Sequence, residues 1–186
     1  MKYDLSVLIC TLPNRDPKPL LDKLMFQSQK HSIQVLYLGD NKSMSVGEKR
    51  NHLLSMASGK YITFRDDDDD ITDDHTDSIF ELIPKNHDVI TFQVDKRFNG
   101  QQDRFQKFSR EYGLNHRSPD KKFNLMLPNH LCVWRKDVIN VKFPHINLAE
   151  DHQWAQLMLP YYSNEGHIDK VLYIYDFWKD KTETQR

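Results

Sequence analysis

The chain has 186 residues, a formal net charge of −1 and 38 % hydrophobic residues. That length suits one domain, and 21 aromatic residues spread along it are too many for a disordered chain. The near-zero charge names no partner, and no apolar run approaches the ~20 residues of a membrane span.

Residues 5–10 (Leu-Ser-Val-Leu-Ile-Cys) form a short apolar run that reads as a buried strand, broken by Thr11-Leu-Pro-Asn-Arg-Asp-Pro17. Leu20, Leu21, Leu24 and Met25 recur at helical spacing, with Pro17 and Pro19 near the helix start. Residues 33–38 predict a second strand, ended by Gly39-Asp40-Asn41. Residues 48–58 predict a helix stopped by Gly59 as a C-cap glycine. Residues 61–64 (Tyr-Ile-Thr-Phe) predict a third strand, which runs into an acidic block. A helix capped by Thr72 or Asp73 follows through Ile83, and residues 89–94 predict a fourth strand.

Strand and helix alternating in this way predict an α/β domain with a mostly parallel sheet flanked by helices. In such sheets ligands bind at the carboxyl ends of the strands. Three of those ends carry polar clusters, at residues 11–16, 40–43 and 66–70. Beyond residue 94 the signals weaken. Residues 95–122 read as loops or short helices, residues 131–134 as a strand, 135–139 as a short helix and 148–159 as a helix. Residues 171–175 read as a last strand, and the tail from Lys179 is polar. Residues 1–94 form the expected ligand-binding half, 95–178 a second half and 179–186 a tail.

Two charge blocks stand out. Residues 66–77 hold eight Asp with no Lys or Arg, and residues 96–122 hold eight Lys or Arg against three acids. Adjacent carboxylates repel one another unless a cation lies nearby, and Mg²⁺ or Mn²⁺ prefers such oxygens. In an extended segment residues two apart point the same way, so Asp66 and Asp68 face one ligand together. Such a cation bridges a diphosphate and neutralises leaving-group charge. The bland alternative is a solvated acidic turn. The two cysteines, Cys10 and Cys132, read as reduced structural thiols, and residues before Leu5 show no secretory signal. The expected location is cytoplasmic.

Several motifs together resemble the family 2 glycosyltransferases of the GT-A fold. They are Ser6-Val-Leu-Ile-Cys-Thr-Leu-Pro-Asn-Arg15, Asp40-Asn41-Lys42-Ser43, Lys49-Arg50-Asn51, Ala57-Ser-Gly-Lys-Tyr-Ile-Thr-Phe64, the Asp run and Glu150-Asp151. The resemblance implies a GT-A-like, Rossmann-type single domain that takes a sugar from a nucleotide-sugar donor. It implies that Thr11, Arg15, Asp40, Asn41, Arg50, Asp66 and Asp67 face the donor. Asp66 and Asp68 would form the metal-binding Asp-x-Asp motif, with Asp67 and Asp69 open because the register is ambiguous by one. Asn41 stands where the family carries a second Asp, which leaves the donor base open. Asp151 would be the general base of an inverting transfer. Glu150 and His152 would face the acceptor. The processive Gln-x-x-Arg-Trp motif is absent, which implies transfer of a single sugar.

Basic residues interleaved with aromatics, Arg104 and Lys107 among them, suit a phosphate backbone or a phosphorylated glycan. A modified DNA base of phage type or a glycan is the expected acceptor. A nucleotidyltransferase and a non-catalytic nucleotide- or nucleic-acid-binding module are the rival readings. The first lacks the Gly-rich loop it needs after strand one. The second predicts no metal-dependent turnover of nucleotide sugars.

Overall fold

A computed structural model describes residues 2–113 and 115–179. The expected tail therefore lies, from residue 180 on, outside the described residues. The strands are β1 (Tyr3–Thr11), β2 (Ile33–Gly39), β3 (Gly59–Asp66), β4 (Asp70–Ile71), β5 (Val89–Phe98), β6 (Gln101–Phe108), β7 (Asn115–Arg117), β8 (Phe123–Met126), β9 (Val133–Arg135) and β10 (Glu165–Phe177). The α-helices are α1 (Lys18–Gln27), α2 (Val46–Met56), α3 (His75–Phe80) and α4 (Glu150–Met158).

One sheet runs in the order β2-β1-β3-β9-β5-β6-β8-β7, with β10 pairing both β5 and β4. β1 is parallel to β2 and β3, and β5 is parallel to β10. β9 runs antiparallel between β3 and β5. The sheet is thus mixed, with a parallel first half as the strand–helix alternation predicts. Register decides where the polar ends fall. Thr11 lies opposite Gly39, and Cys10 lies opposite Asp66, so the ends of β1, β2 and β3 share one edge.

Several local expectations are corrected. Helix α2 ends at Ala57 in an extended conformation, and Gly59 is the first residue of β3 rather than a C-cap. Gly59 is required by proximity, since a Cβ there would lie 2.6 Å from the Ser6 nitrogen. The helix expected through Ile83 is only the six residues of α3, because its Thr, Asp, His and Ser side chains are weak helix formers. Residues 95–108 are not loop. β5 continues to Phe98 and turns back into β6 through Asn99 and Gly100, both at positive φ. Asn-Gly between two strands is a hairpin signature, and it was legible in the sequence.

The core is continuous around β1, β3, β5 and β9. An aromatic cluster closes it toward α4. Trp154 stacks on Phe143 at 4.5 Å and meets Trp134 edge-on at 5.2 Å, and Phe143 meets Phe64 edge-on at 5.3 Å. These contacts bind α4 to β3 and β9 through several buried rings. The segment before α4 is fixed to α2 as well. Asn51 donates to the Phe143 carbonyl and accepts from the Phe143 N–H, each at 2.9 Å. Among the described residues, no helix is long and apolar enough to cross a membrane. Both cysteines are free thiols.

Gly47, at the start of α2, lets that helix approach the segment before α4, and an added Cβ would lie 1.7 Å from the Pro144 oxygen. Gly47→Ala is therefore expected to destabilise the chain by about 1–3 kcal/mol, read as a lowered urea midpoint.

Candidate active site at the sheet edge

Helix α2 opens with a capping box. The Ser45 hydroxyl accepts from the Glu48 N–H, and the Glu48 carboxylate accepts from the Ser45 N–H. This start orients Lys49 and Arg50, both buried, toward the sheet edge. Lys49 Nζ lies 2.9 Å from Asp40 Oδ1 and 3.4 Å from the Thr11 carbonyl. It thereby ties the ends of β1 and β2 together. Asp40 also accepts from the Met44 N–H at 2.7 Å and the Ser43 hydroxyl at 3.1 Å. The Lys49 ammonium and these donors hold its carboxyl down to about 2. Asn41 beside it is exposed.

Arg50 is the centre of the charge pattern. Its Nη2 lies 3.3 Å from Asp66 Oδ1, and its Nη1 lies 2.9 Å from Glu150 Oε1. Its guanidinium rests against the rings of Phe143 and Phe64, at 5.5 and 5.8 Å. Glu150, expected to face the acceptor, is instead buried in this ion pair at 6 % exposure. An acid in that position compensates a buried cation and cannot reach a substrate in solvent.

The five aspartates after β3 diverge. Asp66 contacts Arg50. Asp67 is buried and lies 2.6 Å from Arg15, which also contacts Asp68 at 2.9 Å. Asp69 is turned inward, where the Tyr173 hydroxyl donates to it at 2.6 Å and the Asp176 N–H at 3.2 Å. Asp70 pairs with Lys23 at 2.7 Å. The Asp66 and Asp68 side chains keep 33 % and 31 % exposure. Both oxygens of Asp69 are occupied, so it is the least available of the three candidate metal ligands. Arg15, expected at the donor, clamps the acidic turn.

Desolvation and the neighbouring charges of Asp66 and Asp67 raise Asp68 to about 6, despite Arg15. This marks negative charge that the protein alone leaves uncompensated. Desolvation also opposes the charge of Asp66, yet His130 and Arg50 hold that group down at about 2.

His130 is the residue that sequence reasoning missed. It is buried, with Nε2 3.5 Å from Asp66 Oδ2 and Nδ1 3.5 Å from Asp151 Oδ2. These are charge contacts at the limit of hydrogen-bond range, and neither ring nitrogen has a shorter partner among the described residues. Burial and Arg50 oppose its protonation, but the two carboxylates raise its pKa above the ordinary value. Its backbone is fixed from β3. The Phe64 N–H donates to the His130 carbonyl at 3.0 Å, and buried Arg65 donates to the Leu131 carbonyl at 2.7 Å. The sequence signal was only a polar Asn129-His130 pair directly before an apolar strand.

Asp151 sits in the first turn of α4, where acids suit the helix dipole. Its Oδ1 accepts from the His152 N–H at 2.8 Å. Burial opposes its charge, but His130 and His152 hold its carboxyl well below the usual range. Asp151 is therefore ionised at neutral pH. His152 is half-exposed, 3.3 Å from Asp151. Arg104 and Lys107 stand apart on β6. Their ion-pair partners are Asp103 and Asp169, outside this cluster.

The shift of Asp68 has a definite sign. Its folded value of about 6 exceeds the unfolded value of about 3.9, so the folded chain binds the proton more tightly between those limits. Stability from this group is present at low pH and is lost as pH rises through about 6. Asp68→Asn is expected to raise stability at pH 8 by roughly 1–2 kcal/mol, with little gain near pH 4. Thermal melts of the metal-free chain at both pH values measure this.

The sequence model of the family described as Glycosyl transferase family 2 matches residues 18–165. No curated protein matches the chain in sequence. Its fold is similar to that of S. aureus TarS 1-349 in complex with UDP-GlcNAc, at 16 % identity and a TM-score of 0.67, over 94 % of this chain and 58 % of that one. The same TarS segment in complex with UDP matches at a TM-score of 0.64 and 16 % identity, over 94 % of this chain and 60 % of that one. The longer S. aureus TarS matches at 0.62 and 16 % identity, over 94 % of this chain and 37 % of that one. The chain thus spans about three fifths or less of these proteins. With more than half of its residues matched by the family model, on a GT-A fold, the chain belongs to glycosyl transferase family 2.

Proposed function

We propose that the chain transfers one sugar, with inversion, from a nucleotide-sugar donor to an acceptor hydroxyl, and that the transfer needs a divalent cation. The observation that carries this reading is the convergence of Asp66 and Asp151 on the two nitrogens of His130. They come from opposite halves of the chain, the donor half (1–94) and the acceptor half (95–178). Asp66 marks the end of β3, where a ligand of a parallel sheet sits. Asp151 faces it from the start of α4.

Asp66 and Asp68 suit Mn²⁺ or Mg²⁺. Such ions are commonly held by one or two carboxylates together with substrate phosphates, so a cage of protein ligands is not needed. Among the described residues there is no cluster of three or more ligating side chains. The raised Asp68 supports the same reading, since a cation would relieve its charge. When bound, the ion supplies charge stabilisation for the leaving diphosphate.

Thr11, Asp40 and Asn41 at the ends of β1 and β2 are the proposed nucleoside contacts, with Lys49 fixing Asp40. Solved TarS complexes with UDP-GlcNAc and UDP make uridine donors the first to test. Asp151 takes the proton of the acceptor hydroxyl as that oxygen bonds to the anomeric carbon and the bond to the diphosphate breaks. His130 holds Asp151 in place and keeps it ionised. Two free cysteines suit the cytoplasmic location expected from the sequence.

A thermal-shift panel of UDP-, GDP-, TDP- and CMP-linked sugars, with and without Mn²⁺, tests the donor side. One donor class is expected to stabilise the chain only with metal, by about 2.7 kcal/mol at a hundredfold excess over Kd. Stabilisation by none of them would contradict the reading. Asp151→Asn is expected to keep that donor shift and to lower transfer by at least a hundredfold. Near wild-type transfer in this variant would remove Asp151 as the base.

A further inference from the structure

The hairpin of β5 and β6, together with the end of β10, forms a groove of about 520 Å³, within the range of small-ligand sites. Its walls are aromatic and its rim is polar. Phe98 and Phe177 stack at 5.7 Å with planes 16° apart, and Phe98 is 49 % exposed. Lys96, Gln101, Gln102 and Asp103 supply amide, ammonium and carboxylate groups around them. Phe98 leaves one face of this stacked pair in water, and exposed apolar surface of this kind marks binding sites.

Strand β10 links the groove to the candidate active site. Tyr173, Tyr175 and Phe177 lie two residues apart on β10, past its register shifts, and so share one face. Tyr173 donates to Asp69 and accepts from the Asp66 N–H at 3.0 Å. Tyr175 lines the groove, and Phe177 completes its aromatic pair. This row of rings runs roughly 13 Å from the acidic turn to the groove.

The charge lining the groove bears on its occupant. Of the eight basic residues at 96–122, four are already committed. Arg97 pairs with Asp95 at 2.8 Å, Arg104 with Asp103 at 2.9 Å and Lys107 with Asp169 at 3.3 Å. Arg110 donates to the Leu159 carbonyl at 2.9 Å and to that of Tyr162. The groove itself is lined by one cation and one anion. A nucleic acid needs a positive track beside its stacking rings, which this lining does not supply. A saccharide needs the opposite combination. Its C–H face lies on aromatic rings, while its hydroxyls bond polar groups such as the Gln101 amide and the Lys96 ammonium.

We infer that the groove between the β5–β6 hairpin and β10 seats an uncharged sugar ring of the acceptor, on Phe98 and Phe177. This inference rests on the glycosyl-transfer reading and narrows its acceptor to a saccharide, against the nucleic acid suggested by the basic residues of the sequence. Tyr175 lies on β10 between Tyr173, which contacts Asp69, and Phe177, so the sugar held on Phe98 is a neighbour of the acceptor hydroxyl and not its bearer.

Saturation-transfer NMR on the full chain tests the groove. The probes are the methyl glycosides of glucose, galactose and N-acetylglucosamine, with a ten-residue oligothymidylate for comparison. At least one glycoside is expected to receive saturation, with a threefold or greater loss in Phe98→Ala and retention in Phe98→Trp. Oligothymidylate is expected to receive none through this groove. Silence from every glycoside overturns the inference, as does an undiminished signal in Phe98→Ala or an oligothymidylate signal that Phe98→Ala abolishes. The donor-induced thermal shift, read in the same samples, separates the two levels. Silent glycosides with the donor shift intact overturn the groove alone, and loss of both overturns the transfer reading beneath it.

Discussion

The whole site depends on a buried cation. Arg50 sits at 4 % side-chain exposure, where an unpaired charge would be severely destabilising. Its compensation comes from Asp66 on β3 and Glu150 on α4. That requirement forces the end of the central strand and the start of a distant helix to meet at one place. Asp151 follows Glu150 in the chain, so the pairing that satisfies Arg50 also delivers Asp151 to the opening. The meeting of Asp66, Glu150 and Asp151 is in this sense a by-product of neutralising Arg50.

The surrounding structure makes that meeting rigid. Asn51 and Gly47 hold the segment before α4 against α2, one by paired hydrogen bonds and the other by the absence of a Cβ. The Phe143–Trp154 stack and the Trp134–Trp154 contact fix α4 from its buried side. Arg65, one residue before the acidic run, points the other way and fixes the Leu131 carbonyl, which places His130. Alternation along one strand therefore gives Arg65 a structural task and leaves Asp66 facing the site.

The acidic run shows how one composition takes several roles. Asp67 and Asp68 share Arg15, Asp69 is held by β10 and Asp70 by Lys23. Arg15 and Lys23 offset charge at Asp67, Asp68 and Asp70, whereas Asp69 has only neutral donors, and burial with the charges of Asp66 and Asp68 raises its carboxyl well above the ordinary value. Asp68 is raised as well, to about 6, but unlike buried Asp69 its side chain keeps 31 % exposure and stays open to solvent.

Apolar runs with helical and strand periods, set between turn residues, determined by themselves the order of β1, α1, β2, α2 and β3 and the polar clusters at their ends. They did so because those elements are local and their patterns are strong. Motif order in the same stretch was enough to indicate the family. The β5–β6 hairpin was legible in Asn99-Gly100 but was hidden by the polar residues on its exposed strands. The rest was decided by tertiary structure. Glu150 and Asp151 are adjacent and equally acidic, and only the Arg50 pairing turns one inward and leaves the other at the opening. His130 acquires its place through contacts of its backbone with β3, which no local pattern encodes. The basic residues at 96–122 looked like a phosphate track in sequence, yet Arg97 and Arg104 pair with the neighbouring acids Asp95 and Asp103, and folding brings Asp169 of β10 to Lys107. Charge in a sequence is a sum over residues, whereas charge at a site depends on which partners the fold brings within a few ångströms.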